Sequence, residues 1–497
     1  MKSVTVHLPA LQVVVPLLGA LLCALLRRGT SAWAMSLIVS WLLPAISIAL
    51  MLQVLRSGPI SYHLGGWAPP IGIEYRVDLL NAFVLVLISI IGAAILPFAR
   101  RSVAHEIDGD KQAWFYTMYL LCLTGLLGIT ITGDAFNVFV FLEISSLSTY
   151  VLIAMGKDRR ALLSAFQYLI VGTVGATFYV IGVGLLYLVT GSLNLVDIAA
   201  RLGPAAAESS RPVMAALAFL TVGVSLKLAL FPLHVWLPGA YAYAPSVATA
   251  FLAGTATKVA IYVLLRLFFS VFGVAISFRS LPVSEIMLVL SAAAMLIASL
   301  IAVFEMNAKR MLAYSSLAQI GYITLGISLA NVAGLTGGIV HLLNHALMKT
   351  ALFLALGAVV YRIGSAKLDD LAGIGRQMPL TMAAFVVGGL ALMGVPGTAG
   401  FVSKWYLAVG AFDRGWWPLV FLILASSLLA VVYIGRVVEM AWFREPSEIA
   451  AKAKDPPWSM LMPLLALAAA TIYLGIDTEA SAAIARKIAE SLLGGLK

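Results

Sequence analysis

Residues 225–238 read SLKLALFPLHVWLP, a lysine and a proline set inside an otherwise apolar run. Residues 393–404 read MGVPGTAGFVSK, with Pro396 flanked by glycine on either side of Val395–Pro396 and Lys404 beyond it. Proline removes a helix donor and clashes with the preceding turn, so each stretch reads as a broken helix. In a bilayer such breaks are tolerated only where protein or a wet cavity satisfies the backbone. Together they point to a helical membrane bundle with a polar interior.

Composition supports that reading. The 497 residues are 62% hydrophobic and 11% charged, against about 25% charged in a soluble protein. A span needs about 20 apolar residues. On that rule, candidate helices fall near 8–26, 33–55, 78–99, 113–132, 134–155, 164–190 and 213–232. Seven more follow near 245–268, 283–304, 310–329, 335–360, 380–408, 416–440 and 458–476, and these are numbered spans one to fourteen. The fold class is therefore all-α and polytopic. Run 8–26 is expected to stay as a helix, since Cys23 to Arg27 offers no small-residue cleavage site.

The breaks in spans seven and twelve lie five spans apart, which fits two five-helix repeats, spans four to eight and nine to thirteen. An odd helix count forces the repeats into opposite orientations. The expected divisions are 1–112 for spans one to three, 113–268 and 283–440 for the repeats, and 441–497 for a connection, span fourteen and a tail. Lys227 precedes its proline while Lys404 follows, so the repeat is structural rather than a sequence identity.

The net charge of +10 is spread as short clusters between apolar runs, not as one stripe, which excludes a nucleic-acid surface. Sixteen basic residues, from Arg27 and Arg28 through Arg159 and Arg160 to Lys452 and Lys454, fall in one set of connections, and ten in the other. The positive-inside rule then places the protein in a bacterial-type cytoplasmic (inner) membrane with both termini external. Cys23 and Cys122 lie within apolar runs and form no CxxC pair, so no disulfide, iron–sulfur or zinc site is expected. No GxGxxG or P-loop occurs either, and no cofactor or metal is expected.

The candidate chemistry lies in mid-span ionisable groups. Glu143 sits nine residues into span five, roughly 13 Å deep at 1.5 Å per residue. Lys227 and Lys258 lie about fourteen and thirteen residues into spans seven and eight, and Lys404 beyond the break of span twelve. His341, His345 and Lys349 repeat every four residues and share one stripe of span eleven. Each unpaired mid-span charge costs about 2.5–3.5 kcal/mol, so these groups must be paired, neutralised or hydrated. Buried ion pairs holding helices in register are the plain alternative; protonatable groups spread over five helices weigh against it. Desolvation makes a buried lysine give up its proton, and histidine titrates near neutrality. A glutamate beside a lysine holds it charged, so Glu143 and a lysine form a candidate switch.

Proton transfer is thus assigned to Glu143, Lys227, Lys258, His341, His345 and Lys404, with His234 and Lys349 as further candidates. A linker residue beside Trp236, His234 reads first as a hydrogen-bonded linker histidine. Asp134 reads as the cap of span five. Arg266 and Arg436, near span ends, are expected to snorkel. Glycines 394, 397 and 400 are expected to leave room for water beside Lys404.

Several segments together resemble a known family: GWAPPIGIEYRVD (66–78), TGDAFNVFVFLE (132–143), LKLALFPLHVWLPGAYAYAPS (226–246), KRMLAYSSLAQIGY (309–322), HLLNHALMKTALF (341–353) and GFVSKWYL (400–407). They resemble the antiporter-like proton-translocating subunits shared by Mrp-type sodium–proton antiporters, respiratory complex I and membrane-bound hydrogenases. The resemblance implies fourteen helices, inverted repeats and a central polar axis. It also implies functional residues at Glu143, Lys227, Lys258, Lys404, His341 and His345. The first and second segments look most like the D subunit of an Mrp antiporter. The chain ends about twenty residues past span fourteen, which implies a smaller member; one complex I subunit of similar length has glutamate where Lys404 stands. The expected function is proton movement within a multisubunit sodium–proton antiporter; the alternative is proton pumping in a redox complex whose electron carriers lie on other chains. A non-pumping anchor conflicts with the cost of the buried charges. Expected partners are other membrane subunits, lipid, protons and, as the counter-ion, sodium.

Overall fold

The computed structural model describes residues 5–208, 210–280 and 282–494. Thirteen of its helices are long and apolar enough to cross a membrane: Leu8–Leu26, Gly29–Ser57, Leu79–Glu106, Gln112–Ile131, Ala135–Ala154, Arg160–Thr190, Ser210–Leu228, Ser246–Val271, Val283–Phe304, Ala308–Leu329, Val332–Ile363, Pro418–Phe443 and Trp458–Ile476. Span twelve is the missing one. It is divided into Pro379–Met393 and Ala399–Asp413, each too short to cross alone. A short hairpin, β1 (Ile60–His63) against antiparallel β2 (Glu74–Val77), follows span two within the otherwise all-helical bundle. It lies in the connection between two apolar runs, where its open edges can meet water.

The breaks lie where the sequence places them. Span seven stops at Leu228 and resumes as Trp236–Tyr243. The backbone groups freed between are met by protein: Leu230 N donates to Ser225 O (3.0 Å) and Trp236 Nε1 to Leu226 O (3.0 Å). The first half of span twelve is ended by Gly394, whose φ of +85° suits a residue without Cβ. A third break was not expected. Span eight is interrupted at Thr255 (φ −126°, ψ −59°), between Ser246–Gly254 and Ala256–Leu265, with no proline to announce it. The connection after span six also carries an unforeseen helix, Leu195–Glu208, and the tail forms another, Glu479–Leu493.

Spans eight and ten are the most enclosed, each with 94% of an 18-residue stretch buried. Around them, one construction occurs twice. Asp134 caps span five by accepting from Asn137 N (2.7 Å); Ala135 N donates to Leu193 O (2.8 Å) and Leu195 N to Gly133 O (2.8 Å). Asn307 caps span ten by accepting from Arg310 N (3.1 Å); Ala308 N donates to Ala366 O (2.8 Å) and Leu368 N to Met306 O (2.9 Å). Gly191 ends span six at φ +67° and Gly364 ends span eleven at φ +71°. Each residue of the second set lies 173 positions after its counterpart.

Candidate functional site: a buried row of amines and imidazoles

Span five presents Glu143 and, three residues on, Ser146 toward the end of span seven. Lys227 sits on the last turn before the break, donates to Ser146 Oγ at 2.5 Å and lies 3.8 Å from Glu143 Oε1. The expected carboxylate–lysine pair is therefore formed. Ser146, unremarked in sequence, is the lysine's second partner. Glu143 is 28% exposed and sits within an outward stripe of span five formed by Phe136, Val140, Leu147 and Val151.

Lys258 is fully buried just past the break of span eight, and its ammonium donates to the carbonyl of Ala253, which the break frees, and to Thr257 Oγ1 (3.4 Å). The break thus builds a cradle for the lysine. Span twelve repeats the device: Lys404 donates to the carbonyls of Leu392 (3.0 Å) and Met393 (2.8 Å) at the end of the first half-helix, and to Ser427 Oγ of span thirteen (2.8 Å). Its ammonium also stands 4.7 Å from the Tyr322 ring centroid, a cation–π contact.

Between these ends runs span eleven. His341 Nδ1 is 2.7 Å from Ser403 Oγ, and Nε2 is 2.9 Å from Gln319 Oε1. Ser403 Oγ also contacts the Gly400 carbonyl at 3.0 Å. Its one hydroxyl proton can serve the ring or the carbonyl, so His341 keeps partners whether neutral or charged. His345 stacks 6.3 Å from His341, fully buried, with no protein partner for either ring nitrogen. Lys349 donates to Leu312 O (2.9 Å) and Ser315 Oγ of span ten.

Glu143 pairs with Lys227, and His341, His345, Lys349 and Lys404 are joined through contacts with spans ten, twelve and thirteen; with the buried Lys258, these six candidates and Lys349 make up a row of ionisable groups. His234 stands apart: it stacks on Phe231 at 5.1 Å, its Nδ1 has no partner, and no hydrogen bond joins it to Glu143 or Lys227 among the described residues. Two expectations are overturned. Rather than snorkelling, Arg266 is 14% exposed and bonds Asp78 and Asn81 of span three and Tyr262 Oη (3.1 Å); a carboxylate at the same depth outcompetes the interface. Nor does Gly400 leave room for water: a Cβ there would overlap the Ala391 carbonyl, so the glycine permits backbone contact. Arg436, about two turns before the end of Pro418–Phe443, bonds the Val303 carbonyl.

Charge pairing decides what the row can do. Among the described residues, Lys258, Lys349 and Lys404 have hydrogen-bond acceptors but no carboxylate within ion-pair distance; Lys227–Glu143 is the row's one ion pair. Helix registration by ion pairs cannot explain this arrangement. Among those residues no cluster of three or more His, Cys, Asp or Glu could hold a metal ion.

Fold and site together define an antiporter-like, multi-pass membrane subunit for proton translocation. The family model described as NADH:quinone oxidoreductase/Mrp antiporter, TM, matches residues 132–430. NADH-quinone oxidoreductase subunit N of Desulforudis audaxviator is 41% identical over 493 residues, 96% of this chain and 97% of that protein. The D subunit of the Na(+)/H(+) antiporter of Alkalihalophilus pseudofirmus is 30% identical over 468 residues, 94% of this chain and 92% of that one. A chain of the Mrp complex from Dietzia sp. DQ12-45-1b superposes with a TM-score of 0.89 at 28% identity, over 99% of this chain and 98% of the other. The chain belongs to the NADH:quinone oxidoreductase/Mrp antiporter transmembrane family.

Proposed function

We propose that this chain carries protons along Glu143, Lys227, Lys258, His345, His341 and Lys404, with Lys349 beside the row, as a subunit of a multisubunit monovalent cation/proton antiporter. The observation that carries the reading is a row of buried amines and imidazoles with one carboxylate at one end. Such groups exchange protons with a neighbour, and unpartnered His345 nitrogens and the Asn344 carbonyl oxygen call for water. Glu143 tunes the first lysine. Half-buried within an apolar outward stripe, that carboxylate also calls for a covering subunit, since lipid would leave it unsolvated. The construction repeated 173 residues apart supports two inverted repeats, spans four to eight and nine to thirteen, within the divisions drawn from sequence. The bias of basic residues supports external termini in an inner membrane.

A second reading, proton pumping in a redox complex, is favoured by the 41% identity to a protein named as an NADH-quinone oxidoreductase subunit. Purifying the assembly through a tag on this chain separates the two. The antiporter reading expects no flavin or iron–sulfur absorbance and sodium-dependent discharge of a pH gradient in liposomes. Co-purifying redox centres, with proton movement driven by electron transfer and indifferent to sodium, would overturn it in favour of the second.

A further inference from the structure

Span three carries a carboxylate at each end, Asp78 as its cap and Glu106 as its last residue. Each borders a cavity and faces a basic residue from another span. At one end, Asp78, Asn81, Tyr262 and Arg266 line a cavity of about 240 Å³. At the other, Glu106 and Lys309 line one of about 470 Å³, rimmed by Lys157, Arg160 and Lys367.

The second cluster is tightly built. Glu106 accepts from Ser102 Oγ (2.6 Å) and from both Ser246 N (2.9 Å) and Ser246 Oγ (3.1 Å), at the first residue of span eight. Lys309, 5% exposed, donates to the same Ser246 Oγ at 2.9 Å. Two opposite charges on spans three and ten therefore meet on one hydroxyl of span eight, beneath an open cavity. None of these residues belongs to the row described above.

Span ten links them to it. In order, it offers Lys309 to Ser246, Leu312 O and Ser315 to Lys349, Gln319 to His341, and the Tyr322 ring to Lys404. At 1.5 Å per residue, these contacts fall at roughly 0, 5–9, 15 and 20 Å along one helix. The basic partners at the two cavities also differ in kind. Arginine stays charged, whereas lysine can release and regain a proton.

We propose that the cavity over Glu106, Ser246 and Lys309 is the port through which protons enter the row, with Lys309 as the first carrier. The proposal rests on the proton-translocating reading above. Lys309 loses one N–H proton through water to the neutral amine of Lys349, then takes a replacement from water in the cavity. Glu106 holds the charged form between the two events. At the mouth Lys157 stands beside Arg160, which is paired with Asp158 (2.6 Å), and this net positive charge opposes sodium, while protons pass by recharging amines, so the port is proton-specific.

The test uses the assembled complex in vesicles oriented with the Lys367 end outward. Cys23 and Cys122 are both buried, so a Lys367→Cys variant offers one accessible thiol on this chain, with the unsubstituted complex as the labelling control. A membrane-impermeant methanethiosulfonate is expected to label it and slow pH-gradient discharge at least tenfold. Lys309→Met and Glu106→Gln are expected to slow it similarly at normal complex yield, and Lys309→Arg likewise, although it keeps the charge. Complete labelling without slowing, or no labelling from the water side, would overturn the port. So would normal rates in assembled Lys309→Met. Should the Lys309 variants fail to assemble, the thiol experiment decides alone. Failure of the underlying reading is separate: it shows as full transport in Glu143→Gln, whatever the port variants do.

Discussion

Glu143→Gln keeps the side chain's size and removes one charge. At 3.8 Å from Lys227 Nζ, the carboxylate attracts the ammonium by about 4 kcal/mol at an effective dielectric of 20. That amounts to roughly a thousandfold in any equilibrium that depends on the charged lysine. Folding should be spared, because Ser146 still accepts from Lys227 at 2.5 Å and the glutamine amide can take part in the same contacts. The expected result is complex assembled at normal yield with pH-gradient discharge reduced at least tenfold. The measurement is fluorescence dequenching of a pH probe in vesicles, beside complex yield on a detergent-solubilised gel. Near-normal discharge by the assembled mutant would refute the role of the pair.

Lys404→Ala should cost about 2–6 kcal/mol, because the Leu392 and Met393 carbonyls each lose a buried donor. Lys404→Arg should keep the complex assembled yet slow transport at least tenfold, since arginine does not release its proton; an active arginine variant would make Lys404 a tether. Arg266→Ala strands Asp78 and should cost about 3 kcal/mol, the low end for a buried pair because Asp78 is a quarter exposed; an unchanged melting temperature would count against the pair. Gly400→Ala must push apart the two halves of span twelve and should cost about 1–3 kcal/mol or more, read as lost complex yield. Expressed without partner subunits, the chain is expected to give no robust sodium-driven proton movement in liposomes, and full-rate antiport by it alone would contradict this.

The spans and two of the breaks could be read from sequence because apolar length and proline act locally, whatever the neighbours. The charged candidates were equally legible, since an ionisable residue inside an apolar run costs free energy that some function or partner must offset. Thr255 was not legible: its break has no proline and exists where Lys258 occupies the freed Ala253 carbonyl. Nor was the fate of Arg266, which depends on Asp78, distant in sequence, arriving at the same depth. Gly400 looked like space and is backbone contact, a difference set by the packing of two half-helices. Glu106, Ser246 and Lys309 come from three different spans, and no spacing within one helix signals that they meet. The repeated hydrogen bonds at Ala135 and Ala308 were invisible because they are backbone bonds, indifferent to side-chain identity. Sequence alone thus determined what must be buried and where the chain must bend, both costs borne by single residues. Tertiary structure decided which buried groups meet, because hydrogen bonds such as those of Lys227 to Ser146 and His341 to Gln319 require residues from separate helices within about 3 Å of one another.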